Sequence, residues 1–178
     1  MKRLPLLLIC MFYFNLAQAS PSQQVDIILF AHQGNTIKNS ELTPNIPFLP
    51  TYTEGITLKS EPDSSYQLLK SSFSSLHNEY YRLNHNASYQ ILAHYSWKQP
   101  KNNQRAVALP LINNKGWQIQ GTVRARLTNY FLFDAQLHCS PPSNPESSFS
   151  VVQKQRLKGG MIYYFDNPHV GMIVKIHT

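Results

Sequence analysis

Val123-Arg124-Ala125-Arg126-Leu127-Thr128-Asn129-Tyr130-Phe131-Leu132-Phe133-Asp134-Ala135-Gln136-Leu137-His138-Cys139, read with Phe149-Ser150-Val151-Val152-Gln153-Lys154-Gln155-Arg156-Leu157-Lys158-Gly159-Gly160-Met161-Ile162-Tyr163-Tyr164-Phe165, decides the fold. In both stretches the odd positions are mainly apolar and the even ones mainly polar. That period of two is the mark of a half-buried strand. Ser140-Pro141-Pro142-Ser143-Asn144-Pro145-Glu146-Ser147 lies between them and reads as a loop. The two stretches therefore predict a long antiparallel ribbon.

Paired residues must face the same way, so their numbers must sum to an even value. A sum near 288 sets Leu137 opposite Val151, Phe131 opposite Leu157, Leu127 opposite Met161 and Val123 opposite Phe165. It also sets Asp134 opposite Lys154 and Arg124 opposite Tyr164, both favourable cross-strand neighbours. Gly159-Gly160 then falls opposite Thr128-Asn129, where a bend or bulge is expected. Arg124, Arg126, Lys154, Arg156 and Lys158 all take even positions, so they share the face away from the apolar one. That face is either an ordinary solvated surface or a binding surface.

Working outward, Val25-Asp26-Ile27-Ile28-Leu29-Phe30-Ala31 reads as a central strand covered on both sides. His32 to Asp63 is polar, carries Pro44, Pro47, Pro50 and Pro62, and predicts a long surface loop. Tyr66, Leu69, Phe73, Leu76, Tyr80 and Leu83 recur by threes and fours, which predicts an amphipathic helix packed on the sheet. Tyr89, Ile91, Ala93, Tyr95 and Trp97 predict one face of a strand. Ala106 to Leu111 reads as a further short strand, Asp166-Asn167-Pro168-His169 as a turn, and Val170 to His177 as the last strand. The expected class is α+β: a mostly antiparallel sheet with a long β-ribbon, covered by one amphipathic helix.

The N-terminus has the parts of a secretory signal. Lys2 and Arg3 are charged, Leu6 to Leu16 is almost wholly apolar, and Ala17-Gln18-Ala19 fits a cleavage site. Residues 1–19 are expected to be removed, leaving 20–178 as one domain exported to the periplasm. Ile9 before Cys10 does not fit a lipidation site, and no later segment approaches a membrane span. After cleavage only Cys139 remains, so no internal disulfide is expected. Cys139 reads best as a small apolar residue at a strand end, with a reactive thiol or a dimer bridge as alternatives.

The charge is uneven. The chain carries a formal +7, residues 20–97 carry −2 and residues 98–178 carry +7. An anionic partner is therefore expected on the C-terminal half. Export argues against nucleic acid, leaving cell-wall carboxylates, lipid phosphates and acidic proteins. The histidines at 32, 77, 85, 94, 138, 169 and 177 show no zinc-site spacing, so no metal is expected. No phosphate loop, dinucleotide fingerprint or nucleophile elbow occurs, so neither a cofactor nor catalysis is expected. Aromatic rings near basic residues suit sugars and carboxylates together. Trp97 beside Lys98, Tyr130 and Phe131 near Arg124 and Arg126, and Tyr164 set opposite Arg124 are the candidates, against core packing as the plain alternative.

The C-terminal run Gln155-Arg156-Leu157-Lys158 and then Ile162 to Val174 resembles the signature end of the CsiV family, periplasmic peptidoglycan-binding proteins of Gram-negative bacteria. Val25 to Phe30, Tyr89 to Pro100 and Gly121 to Tyr130 fit the same family in the same order. The resemblance implies a non-catalytic role in cell-wall synthesis and cell shape. It also implies a partner, an outer-membrane lipoprotein that activates a bifunctional peptidoglycan synthase. This chain departs from the pattern at Gln155, where the family has the first of paired arginines, and at Asn167 and Leu132, where it has histidines. Two other functions stay open on the sequence: an envelope protein–protein adaptor without wall affinity, and a small periplasmic hydrolase.

Overall fold

The structure is a computed structural model, and residues 21–34, 55–142 and 148–178 are described here. The predicted signal peptide, most of the predicted 32–63 loop and residues 143–147 lie outside that set. Two sheets pack face to face. The first has the order β10 (Ile162–Phe165), β11 (Val170–His177), β1 (Ser22–His32), β4 (Tyr89–Pro100), β3 (Gln67–Leu69). The second runs β2 (Ile56–Thr57), β5 (Val107–Ala108), β7 (Trp117–Leu127), β8 (Phe131–Ser140), β9 (Phe149–Leu157), with β6 (Ile112–Asn114) also on β7. All pairings are antiparallel except β2 with β5. The helical part is small: α1 (His77–Asn84), preceded by a 3-10 turn at Ser71–Phe73.

Alternation in the sequence builds the core directly. Val25, Ile27 and Leu29 of β1 and Met172, Val174 and Ile176 of β11 meet Val123, Ala125, Phe133, Ala135, Leu137 and Val151 of the second sheet. Phe133 and Phe165 stack across the two sheets, centroids 5.4 Å apart. Such a pair adds about 0.5–1.5 kcal/mol beyond its buried area. The even residues of β1 serve a second, smaller core: Ile28 and Phe30, with Ile173, lie under Leu76 and Leu83 at the helix. The run 25–31 is thus a central strand covered on both faces, as its unbroken apolarity predicts.

The predicted ribbon is half present. β8 and β9 pair Leu137 with Val151, Asp134 with Lys154 and Phe131 with Leu157, every pair summing to 288. Beyond Phe131 the prediction fails. Thr128–Tyr130 is a hairpin turn, and β7 folds back on β8 with Leu127 beside Phe131 and Arg124 beside Asp134. On the other side the chain turns at Gly159 and Gly160, the latter at φ 77°, and β10 crosses to the first sheet. Val123 therefore does not face Phe165, Leu127 does not face Met161, and Arg124 does not face Tyr164.

Three other expectations need correction. The helix predicted over 66–83 is confined to His77–Asn84. Residues 67–69 pair with 98–96 of β4 as an edge strand instead. The intervening serines favour this, because their side chains compete with helical hydrogen bonds: Ser75 bonds Asp26, and the Ser74 hydroxyl accepts from the Leu76 amide. Within β4 the predicted single face splits. Leu29 pairs with Ala93 and Phe30 with Ile91, so Leu92 is an inserted residue. Tyr89 and Ile91 consequently join the helix-side core, while Ala93, Tyr95 and Trp97 join the core between the sheets. Finally, the end of the predicted 32–63 loop holds the short strand β2.

Candidate functional site

The pairing of β7, β8 and β9 places the predicted basic residues in rows on one outer face. One row is Arg124, Asp134, Lys154, and the next is Arg126, Leu132, Arg156. Lys158 follows where β9 ends. Val123, Ala125, Val151 and Leu157 at odd positions are buried, which directs the even-numbered side chains away from the core, while Gln153 is half-buried and Gln155 is exposed. Lys154, Arg156 and Lys158 are exposed, and Arg124 and Arg126 are half-buried. Asp134 accepts a hydrogen bond from the Arg124 guanidinium and is the acid within these rows. The hairpin that breaks the predicted ribbon leaves this cluster intact, because Arg124 and Arg126 reach the rows through β8 rather than across from β10.

Two predicted contributors lie elsewhere. Trp97 is fully buried between the sheets, and its indole N–H donates to Gln99 Oε1 at 2.9 Å. It is a core residue, and no ligand reaches it. Tyr164 is exposed but belongs to the first sheet, where its ring stacks on Phe30 at 5.6 Å. Burial raises the Tyr164 hydroxyl pKa, with nearby Asp166 and Tyr89 pushing the same way.

Beside α1 the structure shows polar features that the sequence reading passed over. Asp26 is fully buried. Its carboxylate accepts from the Ser96 hydroxyl (2.6 Å), Gln24 Nε2 (2.9 Å), and the Ser75 hydroxyl (2.6 Å) and amide (2.9 Å), and His177 Nε2 lies 3.2 Å away. Burial alone would raise its pKa, but the hydrogen bonds from Ser75, Ser96 and Gln24 outweigh burial and hold it below the ordinary value. Ringed by these partners, Asp26 ties β1 to β4 and to the segment entering the helix. His94, nearby, has its pKa lowered chiefly by burial. His77 adds to that effect and Asp26 opposes it.

Between α1 and β4 runs an open groove of about 860 Å³. Tyr80, Asn84, Gln90 and Asn114 are among the residues lining it. No sequence motif marks these residues; they meet only because the helix docks beside the strand edge. Among the described residues no group of three or more His, Cys, Asp or Glu side chains could hold a metal ion. No helix among them is long and apolar enough to cross a membrane.

Two sheets around a shared apolar core, with a basic outer face on one and a groove beside the other, define a mostly antiparallel β-sandwich. The chain belongs to the CsiV family: the model of that family, described as "Peptidoglycan-binding protein, CsiV", matches residues 3–178. Neither a curated protein nor a solved structure matches the chain.

Proposed function

We propose that this chain is a non-catalytic periplasmic accessory protein of cell-wall synthesis and cell shape. It binds peptidoglycan through the outer face of β7, β8 and β9. The observation that carries this reading is the convergence of Arg124, Arg126, Lys154, Arg156 and Lys158 on three adjacent strands, with Asp134 as the acid among them. Stem peptides of the wall carry free carboxylates, which guanidinium and ammonium groups recognise. Single exposed ion pairs are weak, about 0.2–1 kcal/mol each. A polymer that meets several at once is held through multivalency. The membership in a family described as peptidoglycan-binding supports the same ligand. The lipoprotein activator implied by the family resemblance is the expected protein partner.

The test is co-sedimentation with purified insoluble peptidoglycan. The Arg124→Gln/Arg126→Gln/Arg156→Gln variant should sediment less than the parent at low salt while keeping its fold. Equal sedimentation would reduce the basic rows to a solvated face and bring forward the reading of a protein adaptor.

A further inference from the structure

We infer that the groove between α1 and β4 is a second, separate binding site, for the uncharged sugar backbone of an N-acetylated glycan; this inference rests on the wall-binding reading above. Its lining is chemically unlike the basic face. The side chains of Asn84, Asn86, Gln90 and Gln33 supply carboxamides, which can both donate to and accept from sugar hydroxyls and acetamido groups. Tyr80, which lines the groove, is stacked on His94, centroids 5.2 Å apart and planes 21° from parallel, and the residue is 38% exposed. An aromatic ring held in this way offers a stiff apolar surface for the C–H face of a sugar ring, at little further entropic cost.

Charge narrows the ligand class. Among the described residues no carboxylate lines the groove, and Lys115 is the one Lys or Arg side chain there. It therefore lacks the cation cluster that stem-peptide carboxylates or phosphates need, and that the opposite sheet supplies. Its volume of about 860 Å³ falls in the range of roughly 300–1,000 Å³ typical of small-ligand sites.

The competing occupant is an extended peptide added to the edge of β4, because β3 pairs with that strand only at residues 96–98. Asn114 argues against it. Its Nδ2 donates to the carbonyl of Leu92 at 2.9 Å and lies 3.5 Å from that of Ile91. An incoming strand would need those acceptors. Asn114 is held there by the hairpin of β6 and β7, whose turn residues Lys115 and Gly116 both have positive φ, 51° and 82°. The edge is thus blunted against strand addition, while the groove beside it stays open to a ligand that uses side chains.

The experiment is a titration of the exported protein with N-acetylchitotetraose, a neutral β-linked tetrasaccharide without stem peptides, followed by amide and side-chain chemical shifts. Saturable shifts confined to residues 33, 71–72, 77–94 and 113–116 are expected, and they should persist when salt is raised. Tyr80→Ala should weaken the interaction by about three- to tenfold, the equivalent of one lost ring contact. The Arg124/Arg126/Arg156 variant should bind the tetrasaccharide as the parent does. No shift at millimolar tetrasaccharide would overturn the inference. So would shifts that map to the basic face, or groove shifts produced by a free stem tetrapeptide but not by the sugar. Because the mapping uses the unaltered protein, it stands even if Tyr80→Ala fails to fold. Failure here with salt-sensitive sedimentation intact removes only the groove. Loss of sedimentation behaviour with the groove shifts intact removes only the basic face.

Discussion

Gln99 on β4 donates a 2.9 Å hydrogen bond to the carbonyl of Ala125 on β7, joining the two sheets inside their apolar core. Gln23 donates to the same carbonyl at 3.2 Å. The reason is the shortness of β5, which pairs β7 only at Thr122 and Val123 and leaves the next outward carbonyl without a ladder partner. A buried carbonyl of that kind must find a donor elsewhere. Gln99 also accepts from Trp97, so Gln99→Leu leaves the indole N–H unpaired. The expected loss is roughly 1–3 kcal/mol per group left unsatisfied, read as a lower urea midpoint. An unchanged midpoint would show that the amide contributes nothing net.

The pH dependence of stability should have two limbs. His94 has a folded-state pKa below its ordinary value, so its contribution is fully present above about pH 6.5 and declines as pH falls below that. Asp26 is likewise depressed, so its contribution is present above about pH 4 and is lost as pH falls through the folded value. Urea midpoints across pH 3–8 should show both limbs, with His94→Gln abolishing the upper one and Asp26→Asn the lower. Asp26→Asn should also cost stability at neutral pH, because an amide cannot accept from all the donors around it. A flat profile in the parent protein would contradict this account.

Cys139 is fully buried between the sheets, and burial raises its thiol pKa well above the ordinary value. The thiolate is the reactive form. Ellman's reagent should therefore leave Cys139 unmodified in the native protein and modify it fully in denaturant, as peptide mapping would show. Rapid native labelling, or a Cys139-linked dimer without reductant, would restore the alternatives that the sequence left open.

Phe30 sits over Gly171 on the neighbouring strand. A Cβ at 171 would lie 2.1 Å from the tip of the Phe30 ring, too close for either atom to stay in place. Gly171→Ala should cost about 1–3 kcal/mol, the usual range for overpacking. Adding Phe30→Leu should recover part of that loss in a double-mutant cycle. Strictly additive effects would mean that the ring is not what excludes a side chain at 171.

On the basic face, removing three guanidinium groups takes away about 0.6–3 kcal/mol if each pair contributes 0.2–1 kcal/mol. Peptidoglycan affinity should fall by about three- to a hundredfold. Raising salt from 0.1 M to 1 M shortens the Debye length from about 10 Å to about 3 Å, so the parent should lose much of its own binding. Salt-insensitive sedimentation of the parent would place the wall contact on an uncharged surface instead.

The sequence by itself determined that the odd positions of β8 face the core, with Val123 and Ala125 of β7 and Val151 and Leu157 of β9, because that depends only on alternation. Alternation required an even sum for the β8–β9 register, and the favourable cross-strand pairs selected 288, which the strands adopt. It also placed Arg124, Arg126, Lys154, Arg156 and Lys158 on one outer face. What it could not show was that the chain reverses at Thr128–Tyr130. Leu127 lies beside Phe131, so three turn residues return the chain with odd positions still inward, and the alternation runs through the hairpin as through one strand. The turn at 158–161 hides itself likewise, since Leu157 and Tyr163 both face the core although their strands belong to different sheets. The helix was overextended because spacing by threes and fours in 66–83 does not reveal that β4 takes residues 67–69 as an edge strand. Trp97 and the groove around Tyr80 were matters of tertiary structure alone: an inserted residue at Leu92 decides which face Trp97 takes, and side-chain contacts between α1, β4 and the β6–β7 hairpin have no local periodicity to read.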